Sequence, residues 1–218
     1  MKKLSILCLG MMMLTANASM EGKETVKTHN LVVGVTPALG RMTGSFTYKA
    51  KNAPKDKFTY NKEIGVTVGY ERVLNGFIIM PELRWFRGSQ SDQDFESLAY
   101  NMPYPLPYST ATLDDINEFG FMEWLGFTIN SKHRFQIPIM GGIGVSYVKG
   151  APFHNMFFDY GAKVRMKFYI TPKFGIFAGG FYEGGVGSSK RNIPKDSDGG
   201  YKLKKTNLGM EVGITVTL

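Results

Sequence analysis

Cysteine is nearly missing from this sequence: among 218 residues there is one, Cys8. A single thiol forms no internal disulfide and no thiolate metal cage, so disulfide scaffolds and zinc ribbons are excluded. Long apolar runs are missing too. No stretch beyond residue 18 approaches the roughly 20 continuous apolar residues of a membrane helix, which excludes a helical membrane protein. Histidine is scarce, with only His29, His133 and His154. No zinc spacing, phosphate-binding glycine loop or nucleotide fingerprint is present. Asp196-Ser197-Asp198-Gly199 begins like a calcium loop but lacks the downstream glutamate, so it reads as an Asp-Gly turn. No cofactor and no metal are expected.

What is present begins with an export signal. Lys2 and Lys3 precede an apolar run from Leu4 to Leu14, and Ala16-Asn17-Ala18 supplies the small residues that signal peptidase reads. Cleavage after Ala18 removes Cys8 with the signal and, by loss of two lysines, lowers the formal charge from +8 to +6. A short periplasmic segment, 19–30, should follow, and then one domain, 31–218. The composition is 43% hydrophobic at a mean hydropathy of only -0.14, with 16 Phe, 11 Tyr and 26 Gly. Strict alternation can hide a lipid-facing surface inside such averages.

Alternation is what the chain shows. From Asn207 to Leu218 one parity carries Leu208, Met210, Val212, Ile214, Val216 and Leu218, and the other carries polar residues or glycine. Period-two runs predict eight strands, near 31–46, 58–73, 77–87, 116–129, 134–148, 157–170, 174–186 and 201–218. Three connections are tight, at Leu74-Asn75-Gly76, Asn130-Ser131-Lys132 and Thr171-Pro172-Lys173. Four are longer: 47–57, 88–115, 149–156 and 187–200. Short and long connections alternate, as they do in an all-β, eight-stranded antiparallel up-and-down transmembrane barrel with short periplasmic turns and long extracellular loops. Aromatic residues gather at two levels. Tyr60, Trp85, Phe119, Tyr147, Tyr160 and Tyr182 lie toward the long loops; Tyr70, Phe77, Phe127, Phe135, Phe168 and Phe174 lie toward the short turns. Pro37, Pro81 and Pro138 fall inside strands, where each should cost ladder pairing unless it sits at a bulge. Glu123 falls on the lipid parity, which predicts a bulge near Met122 or a register error.

The opposite parity is charged. Glu63, Glu71, Glu82, Glu118, Glu183 and Glu211 face Arg84, Lys163, Arg165 and Lys167. An eight-stranded barrel holds little more than its own side chains, and buried charges persist when paired. These residues are therefore expected to plug the barrel, which argues against a diffusion porin.

An A-x-A signal, eight alternating strands, three tight turns, four longer loops and an amphipathic last strand resemble the small eight-stranded outer-membrane barrel family, which includes the OmpA transmembrane domain and OmpX-type proteins. The resemblance implies an outer-membrane location, insertion by the barrel-assembly machinery and a monomer. The family includes anchors, adhesins and occasional lipid-modifying enzymes. Members commonly end on an aromatic residue, whereas this chain ends on Leu218.

Barrel closure should bring the first and last long loops together. Lys49, Lys51, Lys55 and Lys57 then join Lys190, Arg191, Lys195, Lys202, Lys204 and Lys205, offset by Asp56, Asp196 and Asp198: ten cations less three anions, a local +7. Loop 88–115 and its flank carry Asp92, Asp94, Glu96, Asp114, Asp115 and Glu118 across the barrel. The basic side is expected to bind lipid phosphate such as that of lipopolysaccharide, or to serve only as a solvated surface. The run from Tyr100 to Tyr108, with alternating prolines, presents Tyr100, Tyr104 and Tyr108 as a contact surface for a protein or glycan, or as a lid over the mouth. Nucleic acid is not an expected partner of an exported barrel. The leading expectation is a non-catalytic barrel that anchors in the outer membrane and presents its loops. The alternatives are a lipid acyl hydrolase or transferase using His154 with Asp159 and Ser146 or Ser188, and a narrow channel.

Overall fold

The computed structural model describes residues 27–37, 40–48, 55–90, 115–129, 134–150, 153–189 and 201–218. These contain β1 (Lys27–Thr36), β2 (Gly40–Tyr48), β3 (Lys55–Leu74), β4 (Phe77–Gln90), β5 (Ile116–Ile129), β6 (Phe135–Gly150), β7 (Phe153–Tyr169), β8 (Phe174–Ser189) and β9 (Tyr201–Thr217). Every neighbouring pair from β3 to β9 is antiparallel. β1 and β2 lie end to end, and each pairs with β3 on one side and β9 on the other. Together they make one stave, so nine strands form a closed barrel of eight staves with no free edge. Closure satisfies the backbone groups that lipid could not.

Side-chain alternation fixes which way each stave faces. On β7, Lys163, Arg165 and Lys167 are at most 2% exposed, whereas Phe158, Tyr160, Val164, Met166 and Phe168 are 44–55% exposed. Water would favour the reverse. Leu31, Val35, Leu83, Leu125, Leu208, Met210 and Val212 extend the exposed apolar surface around the barrel. A continuous apolar exterior over a charged interior is stable only in a bilayer. Exposed Tyr147, Tyr160, Tyr182 and Phe119 mark one level of that belt, and Phe77, Phe127, Phe135 and Phe168 the other. Such rings suit the two lipid–water interfaces. Trp85, half-buried, donates its indole N–H to Asn117 at 3.3 Å.

Local chemistry explains the turns that are described. Asn75 and Gly76 both have positive φ, 50° and 87°, and join Leu74 to its partner Phe77. This is the two-residue hairpin turn that Asn-Gly favours, since its twist matches the flanking strands. At the β7–β8 turn, Thr171 Oγ1 accepts from the backbone N–H groups of Lys173 (3.3 Å) and Phe174 (3.0 Å). The third tight turn, 130–132, lies outside the described residues.

Several expectations need correction. The long loop at 149–156 shrinks, because β6 runs to Gly150 and β7 starts at Phe153. Short and long connections therefore do not alternate strictly. The polar and small residues that suggested a loop there continue the ladder instead, with Lys149 opposite His154 and Val148 opposite Asn155. The first strand begins at Lys27, earlier than residue 31.

Pro37 ends β1, and the stave resumes at Gly40. Pro81 and Pro138 each keep one neighbour, Glu123 and Thr128, but the ladders to β3 and β7 skip them without changing register. Each missing N–H costs a rung, and neither sits at a bulge. No bulge occurs at Met122 either. β5 pairs regularly on both sides, and Glu123 remains on the outward parity between Phe121 and Leu125.

The bulge that does occur lies at Glu63, where Lys62 and Ile64 of β3 face adjacent residues of β4. One extra residue exchanges the two faces of the strand. Tyr60, expected in the outer girdle, consequently shares its rung with Met42 and the inward Asn207.

Candidate functional site

The chemistry of the described residues is concentrated in the bore. Inward positions around the barrel carry charge or amide groups, in three layers stacked along the barrel axis.

Nearest the short turns, Glu71 receives Lys167 Nζ on both oxygens (2.6 and 2.5 Å) and the Asn30 side-chain amide (2.8 Å). Asn30 in turn accepts from Thr217 Oγ1 at 2.9 Å, which ties β1 to β9 across the closing seam. In the middle, Glu82 accepts from Lys163 (2.7 and 2.8 Å), Arg165 Nη2 (2.9 Å) and the Trp124 indole (3.1 Å). Glu211 accepts from Arg165 Nε (2.6 Å), Arg165 Nη2 (3.2 Å) and Lys163 (3.4 Å). The same-face cations of β7 thus find glutamates from β3, β4 and β9.

Nearest the long loops, Arg84 pairs with Asp159 (2.7 Å), Glu118 (3.2 Å) and Glu183. Lys205 donates to Glu118 (2.6 Å), to Asp159 (3.2 Å) and to Ser146 Oγ. Asn207 donates to Glu118 (3.3 Å) and Glu183 (3.4 Å).

Aromatic rings separate the charges and lie against them. Lys163 sits 4.6 Å from the Trp124 ring centre, Arg165 4.7 Å from Phe177 and Lys205 4.9 Å from Phe157. These contacts cover cations on faces that carboxylates do not occupy. Glycines on neighbouring staves make the room: a Cβ at Gly120 would lie 2.6 Å from Arg84 Nε, and one at Gly185 would lie 2.5 Å from both Asp159 Oδ1 and Lys205 Cε.

The two layers toward the short turns balance, with Lys163, Arg165 and Lys167 against Glu71, Glu82 and Glu211. The third sets Arg84 and Lys205 against Glu118, Asp159 and Glu183. The bore thus holds five cations and six carboxylates, a formal -1 among these residues.

Nine of the ten residues expected in the plug therefore occupy the bore, and the side chain of Glu63 lies outside the described residues. Seven more participants were not expected there: Asn30, Trp124, Ser146, Asp159, Lys205, Asn207 and Thr217. Parity carried the signal for four of these, since Lys205 and Asn207 share a face with Glu211, Asp159 shares one with Lys163 and Trp124 shares one with Glu118.

Lys205, expected on the rim, is instead 3% exposed and inward-facing, a correction forced by β9 already being in register at Tyr201. Glu118, expected also to flank an acidic loop, is turned into the bore. Of the other rim residues, Lys204 is exposed on the outward face. Lys55, Lys57 and Lys202 have described backbone only, and Lys49, Lys51, Lys190, Arg191 and Lys195 lie outside the described residues. So do Tyr100, Tyr104 and Tyr108. Asp115 forms an exposed ion pair with Arg87.

The candidate catalytic group does not assemble from what is described. Asp159 is committed to Arg84 and Lys205, and Ser146 is buried with its hydroxyl taken by Lys205. His154 and Ser188 have described backbone only. His29 meets the Tyr70 hydroxyl at 2.5 Å on the outer surface near the short turns. Among the described residues no group of acids, histidines or cysteines is arranged to hold a metal.

No family model matches the chain, and no curated protein matches it. Among solved structures, it is similar to the outer membrane protein OprG from Pseudomonas aeruginosa, at 12% identity and a TM-score of 0.47 over 88% of this chain and 97% of that one. Neisserial surface protein A matches at 8% identity and a TM-score of 0.44, over 85% of this chain and 96% of its own. Ail, the attachment invasion locus protein of Yersinia pestis, matches at 16% identity and a TM-score of 0.37, over 85% and 97%. At such identities the likeness is one of fold alone, and the eight-stave barrel with its lipid-facing belt is itself the architecture of an outer-membrane β-barrel.

Proposed function

We propose that this protein is a non-catalytic outer-membrane barrel, sealed by its interior charges, that anchors in the membrane and presents its extracellular segments for interaction at the cell surface. The observation that carries the reading is the filled bore. Large side chains from facing staves, Trp124, Arg165, Lys163, Lys167 and Met80 among them, are less than about 2% exposed and meet across the axis. A bore filled in this way supports anchoring over transport. The surface then has two candidate faces: the basic side for lipid phosphate, and the Tyr100–Tyr108 run for a protein or glycan.

The test is to replace the connection 91–114 with a short Gly-Ser linker and measure both folding and binding to lipid vesicles, cells and glycan arrays. The reading expects an intact, heat-modifiable barrel that has lost contacts made by the wild type. Acyl loss or transfer on lipids incubated with the refolded wild type, abolished by His154→Ala, would replace it with the enzymatic alternative.

A further inference from the structure

The bulge at Glu63 does more than relocate Tyr60. Below it, the odd-numbered residues of β3 face inward: Thr67, Glu71 and Val73 are all buried. Above it the faces exchange, and the odd-numbered positions become the outward ones. Their rungs can be followed across three staves. Lys57 pairs with Ser45, Ser45 with Lys204, and Lys204 with Val186; Lys55 pairs with Thr47, Thr47 with Lys202, and Lys202 with Ser188. Lys204 and Val186 are both exposed, which sets the whole rung on the outward face. Without the extra residue at Glu63, Lys55 and Lys57 would fall on inward positions.

Two rungs nearer the mid-membrane, Asn61, Arg41, Leu208 and Tyr182 share a row, and Leu208 is 61% exposed. The outward face of β3–β2–β9 therefore passes from the apolar belt of Leu208, Met210 and Val212, through a rung of Thr59, Thr43, Thr206 and Gly184, to the lysine positions. Lysine positions flank a hydroxyl residue on each of two successive rungs. Rungs lie about 7 Å apart along a strand, and the two lysine columns stand about 10 Å apart, two strand spacings. No acid occupies these outward rungs or the threonine rung between them, and Asp56 falls on the opposite face with Phe46 and Leu203.

We propose that this outward face, made by Arg41, Lys55, Lys57, Lys202 and Lys204, is a binding site for the phosphate headgroup of an outer-leaflet glycolipid. The proposal rests on the surface-interaction reading above and narrows it. The ligand is held from the side, with its acyl chains along Leu208 and Met210, instead of from above by the loops. The level of the cations, two rungs above an exposed apolar strand face, fits an amphiphile better than a soluble anion. Ser45 and Thr47 occupy the rung positions between the lysine columns.

The experiment compares full-length refolded barrels in detergent, titrated with bisphosphorylated lipid A, dephosphorylated lipid A and inorganic pyrophosphate, and read by native mass spectrometry. One variant carries Lys55→Gln, Lys57→Gln, Lys202→Gln and Lys204→Gln; a second carries Lys190→Gln, Arg191→Gln and Lys195→Gln; a third puts arginine at the four lysine positions of the first. Heat-modifiable migration on gels establishes folding for each. The proposal expects the first variant to bind bisphosphorylated lipid A about a hundredfold more weakly, near-wild-type affinity in the second and third, and negligible binding of the dephosphorylated lipid. Loss in the second variant with retention in the first would overturn the lateral site while leaving a loop-borne lipid site standing. Pyrophosphate binding as tight as lipid A would overturn the assignment to a membrane lipid. Undetectable lipid A binding by the wild type would overturn both the site and the lipid-phosphate part of the reading it rests on.

Discussion

Arg165 joins two glutamates in the middle of the bore, and its removal gives the sharpest stability prediction. It donates to Glu211 at 2.6 and 3.2 Å and to Glu82 at 2.9 Å, and lies 4.7 Å from the Phe177 ring. Arg165→Met leaves Glu82 with Lys163 and the Trp124 indole. Glu211 is left with little more than Lys163 at 3.4 Å. Stranding a buried charge in this way costs about 3–5 kcal/mol. Packing of the methionine beside Met80 and Phe177 offsets about 1 kcal/mol of it. The expected net loss is about 2–4 kcal/mol.

Removing the stranded partner as well should return part of that loss. Arg165→Met with Glu211→Gln leaves no unpaired carboxylate, and the double variant should recover about 2 kcal/mol relative to the single one. The assay is equilibrium unfolding in guanidinium with lipid vesicles, followed by fluorescence. Of the two tryptophans, Trp124 sits against the network and Trp85 is replaced by phenylalanine to silence it. A single variant within about 1 kcal/mol of wild type, or a double variant less stable than the single, would refute the pairing argument.

Three further predictions follow from particular sites. Glu183→Gln should cost less than half of what Arg84→Met costs in the same unfolding assay, because the layer near the long loops has three carboxylates for two cations. Equal losses would mean that the excess charge is compensated elsewhere. Glu123→Leu should stabilise the barrel by about 1–2 kcal/mol, since it removes an ionisable group from the lipid face. Destabilisation would indicate a partner for Glu123 in the membrane. Gly126→Ala would set a Cβ 2.0 Å from the Ile139 carbonyl oxygen, whereas Gly141→Ala meets nothing nearer than 3.9 Å. The first should lose about 1–3 kcal/mol by overpacking and the second should match wild type.

Much of this architecture is written in period-two alternation. β5 appears where Ile116–Ile129 alternates, and β8 and β9 start at the residues their patterns indicate. The interior was legible for the same reason, since a charged residue between lipid-facing neighbours has nowhere else to point. Lys205 and Asp159 obeyed that rule, but each was read through its neighbourhood: Lys205 beside other lysines, and Asp159 as an acid for His154. The β6–β7 connection was hidden because polar residues near a strand end look the same whether the ladder continues or stops. The bulge at Glu63 has no compositional mark at all. It adds one residue to a strand that above it has polar residues on both faces, with Phe58 and Tyr60 between Asp56 and Lys62, and in such a strand the pattern fixes the register only weakly.

Planar-bilayer recording of the refolded wild-type barrel tests the sealed-bore account most directly. Paired charges and rings filling the axis predict a silent protein, with no steady conductance steps in molar salt. Stable single-channel steps from the wild-type chain would contradict it, because a continuous water path cannot coexist with Arg165, Glu82 and Glu211 meeting across the bore.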